Sequence, residues 1–185
     1  MIEKIIFDIE KALDNEAYLS ALTLVLTIPD ICGKAEFPNE GSNKRRYIDW
    51  YDKYVGVYEK SSKIESDGLP YLSGEVVYSL RNNMLHQGTP NIEKDNIKNE
   101  NNKVDNFVLL IEKKKEFDIY VDAAGIWETE EGKVRKYRVN IRRLCLILCL
   151  AAKGYYKNNI SKFDFFNYTI LDCDEEIDKL RKLGY

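Results

Sequence analysis

Histidine is almost missing from this chain. His86 is the only one in 185 residues, and the four cysteines (Cys32, Cys145, Cys149 and Cys173) form no CxxC pair. A zinc site of the usual Cys/His type is therefore not expected, and the residues point to no metal and no cofactor. Cys145 and Cys149 stand four apart inside LCLILCL, where buried free thiols are the better reading. Free thiols suit a reducing, cytoplasmic setting. Long apolar runs are missing too. The longest uncharged stretch, Ala17 to Pro29, falls short of the ~20 residues that a membrane-spanning helix needs, so no membrane partner is expected. The opening MIEKIIFDIEK carries acidic residues and no A-x-A-like cleavage site, which argues against a secretory signal. An excess of positive charge is also lacking. Lys and Arg total 28 against 31 Asp and Glu, a net charge of -3. That argues against a protein that coats nucleic acid nonspecifically, but leaves room for a local basic patch.

What is present is mostly helical pattern. Ile2 to about Cys32 carries apolar residues at helical spacing (Ile5, Ile6, Ile9, Leu13, then Leu19, Leu22, Val25, Leu26). Asp14-Asn15 can interrupt it, giving one long helix or two in series. Pro29 and Gly33 read as its end. Phe37 to Asn43 is a loop by its turn chemistry. Lys44 to Glu59 reads as an aromatic-rich helix with Tyr47, Trp50, Tyr51 and Tyr54 on one core-facing side. After a polar loop from Ser61 to Pro70, Ser73 is a natural N-cap, Glu75 suits the first turn, and the helix runs to about Gln87 before Gly88. Thr89 to Lys103 is Asn- and Lys-rich, and is expected to be a flexible loop.

FVLLIE (Phe107 to Glu112) and FDIYVD (Phe117 to Asp122), joined by Lys113 to Glu116, read as an antiparallel hairpin, with a weaker third strand near Lys133 to Arg138. Asn140 then caps a helix from Ile141 to about Lys157, apolar on every side between Leu144 and Ala152 and so expected to be the most buried. A last helix runs from about Asp172 to Leu183. The expected fold is mostly α: a single domain over residues 1–185, a bundle of five or six helices with a flexible loop at about 89–103. A small antiparallel β-hairpin insertion is expected at about 104–138.

One helix stands out. In YSLRNNMLHQG, Asn82 and His86 are four apart and share a face. Arg81 lies five before His86, about 140° around the axis, and is long enough to reach back over that face. Tyr78 and Glu75 lie further up the same stripe. Val76, Val77, Leu80, Met84 and Leu85 supply the apolar side that docks the helix.

Arginine, asparagine and one histidine suit phosphodiester cleavage. The guanidinium fork matches phosphate oxygens, and imidazole can move a proton near neutrality. Asparagine can orient the imidazole or the phosphate by hydrogen bonds. In RNA the 2′-hydroxyl is the nucleophile, so the protein need only transfer protons and stabilise charge. Cleavage wants both a base and an acid, so a single histidine per chain points to a symmetric dimer. The bland alternative is a cationic residue at a helix C-terminus, with Arg81 paired to a carboxylate.

Arg81-Asn82-Asn83-Met84-Leu85-His86 resembles the R-N-x-x-x-H signature of the HEPN superfamily. YLSGEVVYSLRNNMLHQG is also similar to a segment of an uncharacterised bacterial family, a likeness that assigns no activity. The HEPN resemblance implies a small helical bundle, dimerisation that brings two motifs together, and metal-independent endoribonuclease activity. It assigns Arg81, Asn82 and His86 as catalytic. It further implies a place in toxin–antitoxin, defence or RNA-processing systems, with an antitoxin protein as one partner and RNA as substrate. A hairpin after the motif departs from the minimal bundle. The same resemblance fits a second reading, a non-catalytic module that dimerises or binds a nucleotide or protein.

The basic stretch KVRKYRVNIRR supplies Arg135, Lys136, Arg138 and Arg142 as substrate-binding candidates beside Tyr78. It reads either as a face that tracks a phosphate backbone or as a solvated strand and helix start. Lys44-Arg45-Arg46 places three cations at a helix start, where they oppose the dipole unless an anion lies nearby. A pocket lined by the tyrosine-rich helix remains a third possibility, with no substrate named by the sequence.

Overall fold

The first apolar segment breaks twice. In the computed structural model, residues 1–59, 70–89, 97, 103–113, 123–129, 132–166 and 169–183 are described. Helix α1 (Ile2–Asp14) buries Ile2, Ile6, Ile9 and Leu13, a 4-3-4 spacing that keeps one stripe inward. Glu16, in the left-handed region at φ 57°, turns the chain into α2 (Tyr18–Val25). Then α3 (Ile28–Glu36) starts where the sequence suggests an end. Pro29 stands in its first turn, where a missing N–H costs nothing. Gly33 lies inside α3 rather than after it. A Cβ there would sit 2.6 Å from the Arg46 carbonyl oxygen, so glycine lets the next helix pack against the α3 backbone.

That next helix is α4 (Asn43–Tyr51), capped by Ser42, whose Oγ accepts from the Arg45 N–H. It buries Tyr47, Trp50 and Tyr51, the aromatic face expected from spacing. It widens into a π-helical turn (Asp52–Gly56) and ends in a short turn at Val57–Glu59. The expected polar loop from Ser61 to Pro70 lies outside the described residues except for Pro70. Helix α5 (Gly74–Gln87) has the expected ends: the Ser73 Oγ accepts from the Val76 N–H, and Gly88 takes the left-handed conformation at φ 65°. The Gly74 N–H donates to the Asp52 carboxylate at 2.6 Å, which pins the start of α5 to the π-helical turn.

Among the described residues three strands form the sheet: β1 (Asn106–Leu110), β2 (Ala123–Thr129) and β3 (Gly132–Asn140). Their order is β1-β3-β2. β2 and β3 pair antiparallel, from Ala123 opposite Arg138 to Thr129 opposite Gly132. β1 pairs with β3 in parallel, from Asn106 opposite Lys136 to Leu110 opposite Asn140. Of the expected hairpin between Phe107–Glu112 and Phe117–Asp122, the linker from Lys114 and the second strand lie outside the described residues. The weak third strand is the centre of the sheet. Most of the expected loop at 89–103 is also outside the described residues, but Ile97 within it is buried.

Asn140 then does two jobs. Its Oδ1 accepts from the Arg143 N–H to cap α6 (Ile141–Asn158), and its Nδ2 donates to the Glu112 carboxylate at 2.8 Å. Helix α6 packs on α1, α2, α3 and the π-helical turn, so it is the hub of the bundle. It is not buried on every side: Leu146 and Leu150 are exposed. A 3₁₀ turn (Ile160–Phe163) follows, then α7 (Cys173–Lys182), capped by Asp172 and with no buried residue. Cys32, Cys145 and Cys149 are buried free thiols, and Cys173 is an exposed one. The architecture is a mostly helical bundle with a small sheet inserted between α5 and α6.

Tyr18–Glu36 is the one stretch among the described residues with the length and hydropathy of a membrane span. In the fold it is α2 and α3, broken at Leu26 and Thr27, with 56% of it buried inside the bundle.

Candidate active site

Helix α5 is held by its apolar side: Val76, Val77 and Leu80 are fully buried against the core. That leaves Tyr78, Arg81 and Asn82 half-buried and His86 exposed near the C-terminal end. Arg81 does reach back along the helix. Its Nη1 donates to Asn82 Oδ1 at 2.9 Å and lies 3.4 Å from His86 Nε2. A guanidinium can only donate, so Nε2 is the acceptor in this approach. The Arg81 guanidinium also lies 5.9 Å from the centre of the Tyr78 ring, which meets Tyr47 edge-on at 5.1 Å. Thus Tyr78, Arg81, Asn82 and His86 form one cluster.

The fifth member comes from another helix. Asp30 of α3 accepts from Arg81 Nε at 3.0 Å and pairs with Nη2 at 2.9 Å, with the two side chains 25% and 21% exposed. Burial pushes the Asp30 carboxyl above the usual range, and this outweighs the downward pull of the Arg81 guanidinium and of Arg46. Asp30 therefore occupies one edge of the guanidinium and leaves Nη1 for Asn82 and His86. Of the five N–H donors, these contacts use four and leave one on Nη2. A phosphate oxygen arriving at Arg81 would take that donor and compete with Asn82 for another.

The four basic candidates of the third strand and its helix are placed elsewhere. Arg135, Lys136 and Arg138 lie on β3, which packs on β1, β2 and α6. The pleat puts Lys136 and Arg138 on the face opposite Tyr137 and Val139, with Arg138 exposed. Arg142 is buried. Its Nε donates to the Glu112 carbonyl at 3.3 Å, its Nη2 to the Leu13 carbonyl at 3.4 Å, and its guanidinium lies 5.8 Å from the Tyr18 ring centre. Two of its five donors and its charge fasten α1, α2 and the segment after β1 to α6. That contact set departs from the substrate-binding expectation, because a guanidinium anchored on two carbonyls of its own fold is not free to follow a phosphate backbone.

Beside the cluster, Arg81 and Asp30 form the wall of a cavity of about 490 Å³ that also takes in Lys34, Arg46 and Phe165. Further along α3, Glu36 accepts from Lys53 and Tyr54 on one oxygen, at 2.6 and 3.0 Å. It accepts from Tyr155 and Lys162 on the other, at 3.0 and 2.7 Å. Burial alone would raise its carboxyl, but the four donors together pull it down to about 2. Among the described residues no three His, Cys, Asp or Glu side chains gather as metal ligands. Comparison with protein-family models, curated proteins and solved structures returns no match.

Proposed function

We propose that the protein is a metal-independent endoribonuclease of HEPN type, working as a cytoplasmic homodimer. The observation that carries this reading is the contact of Arg81 Nη1 with both Asn82 Oδ1 and His86 Nε2 on the open side of α5. Arg81 neutralises the scissile phosphate and the charge that builds on it during attack by the 2′-hydroxyl. His86 moves a proton. Asn82 and Asp30 hold the guanidinium in place. Each copy supplies one imidazole, so a second copy of His86 across a two-fold axis provides the other half of the acid–base pair.

The test is direct. Purified protein in EDTA should cut RNA and leave 2′,3′-cyclic phosphate ends. His86→Ala and Arg81→Ala should each lower cutting at least ~100-fold, the scale of a lost proton-transfer or charge-stabilising group. Circular dichroism should show both variants folded. Cutting at the parent rate in both would defeat the proposal. The Arg81–Asp30 ion pair favours a second reading, a non-catalytic module that dimerises or binds a nucleotide or protein, because a purely structural arginine makes the same pair. Dimerisation without turnover would select it.

A further inference from the structure

The cavity beside Arg81 adjoins a second one. The first, of about 490 Å³, is bounded by Asp30, Asn43 and Arg81. The second, of about 470 Å³, extends to Ser161, Lys162 and Asp164. Both are lined by Lys34, Arg46 and Phe165, so they form one groove between α3, α4 and the segment after the 3₁₀ turn. The close approach of α3 and α4 at Gly33 builds its floor, because it sets Arg46 beside Lys34. The first cavity carries three cations (Lys34, Arg46, Arg81) against one carboxylate (Asp30), in a chain whose net charge is -3. The cations at the start of α4 are thereby accounted for. Arg45 pairs with Glu40 at 3.2 Å, the Lys44 ammonium lies 5.8 Å from the Tyr78 ring centre, and Arg46, hydrogen-bonded to Asn43, faces the groove.

The aromatic member is as informative as the charge. Phe165 is half-buried, wedged beside Phe166 and Phe163 with ring centres 4.7 and 5.9 Å away. The Lys34 ammonium lies 4.6 Å from its ring centre. A fixed ring in a cationic groove is the arrangement that takes an unstacked base on the ring and its phosphate on the cations. Lys34 is exposed, so its ammonium can move from the ring to a phosphate when a base arrives. In the second cavity Lys162 is tied to Glu36, which leaves Ser161 and Asp164 as a hydroxyl and a carboxylate of the kind that read base edges.

The geometry points to this groove as a binding path for single-stranded RNA leading to Arg81. Arg46 and Lys34 hold the backbone phosphate next to the cleaved one, and Phe165 stacks on the adjoining base. A duplex does not fit this description, because its bases are stacked inside and unavailable to the ring. The inference rests on the ribonuclease reading for its direction along the strand, but binding in the groove does not depend on cutting.

The experiment uses full-length His86→Ala protein, which separates binding from cleavage, and a fluorescein-labelled single-stranded RNA of about ten nucleotides, within the usual span of such grooves. Fluorescence anisotropy should show Phe165→Leu weakening binding about tenfold or more, and Phe165→Tyr keeping it. Arg46→Gln should weaken binding and flatten its dependence on salt. A duplex of the same sequence should bind more weakly than the single strand. Parent affinity in both Phe165→Leu and Arg46→Gln, or equal affinity for duplex, overturns the inference. Should Phe165→Leu fail to melt cooperatively, Arg46→Gln and Lys34→Gln carry the readout, and no loss in either overturns it. Cutting that needs His86 but ignores Arg46 and Phe165 refutes the groove and spares the ribonuclease. Groove-dependent binding by a wild-type protein that never cuts does the reverse.

Discussion

Arg81 is shared between two edges of one planar group. Asp30 holds Nε and Nη2, and Nη1 is left for Asn82 and His86. Asp30 itself is an uncomfortable residue. Its folded carboxyl titrates above the unfolded value, so the protonated form is the one the fold favours. Stability from this group is fully present below the unfolded range of about 4 and is lost as pH rises through the raised value. At neutral pH its charge is a cost to the fold. Asp30→Asn should therefore leave thermal stability within about 1 kcal/mol of the parent. On the proposed function it should lower RNA cleavage about ten- to a hundredfold, because a guanidinium freed on one edge no longer holds its geometry. Melting curves beside initial rates separate the two effects, and equal loss in both would mark Asp30 as structural only. Glu36 behaves in the opposite sense. Its carboxyl is depressed to about 2, so its contribution is present above about 4.5 and is lost as pH falls towards 2. Lys53 and Lys162 are half in water, which discounts the effect to about 1–2 kcal/mol. Denaturant midpoints of the parent should fall across that window, and those of Glu36→Gln should fall less steeply.

At the level of elements, the ends of α5 and α6 were legible because their caps are local chemistry: Ser73, Gly88 and Asn140 each satisfy backbone groups within a few residues. The start of α3 was not. Proline followed by glycine ends one helix as readily as it begins another, and only the packing of α4 decides between them. Nor was the parallel pairing of β1 with β3 visible. A run such as FVLLI carries no mark of its partner, and the strand that pairs with it read as weak. Gly33 is where element packing can be tested. Alanine there gains about 1 kcal/mol of helix propensity. It also drives a Cβ to 2.6 Å from the Arg46 carbonyl oxygen, and this overpacking costs about 1–3 kcal/mol. Because the clash is with backbone, the cost wins. Gly33→Ala should lower the denaturant midpoint, and an unchanged midpoint would mean that α4 shifts freely.

At the level of the whole molecule, the cluster on α5 was legible because Arg81, Asn82 and His86 lie within two turns of one helix, where spacing alone sets the face. Asp30, Lys34 and Phe165 were not, and Arg46 was marked only as a cation at a helix start, since all four reach Arg81 from two other helices and a distant segment through tertiary packing. The basic stretch on β3 reads either as a phosphate track or as a solvated face, because contiguous charge alone does not separate the two. The fold instead spends Arg142 on its own carbonyls. A dimer is the largest claim that the single histidine makes. Light scattering should give a mass near twice 21.6 kDa at micromolar concentration, and a monomer throughout would remove the shared acid–base pair. The same scarcity has an experimental side. With only His86 in the chain, every imidazole resonance in a magnetic resonance spectrum comes from the cluster. Titration, tautomer and RNA contact can then be followed there without assigning another residue. A symmetric pair shows one set of signals, and binding at one copy splits it in two.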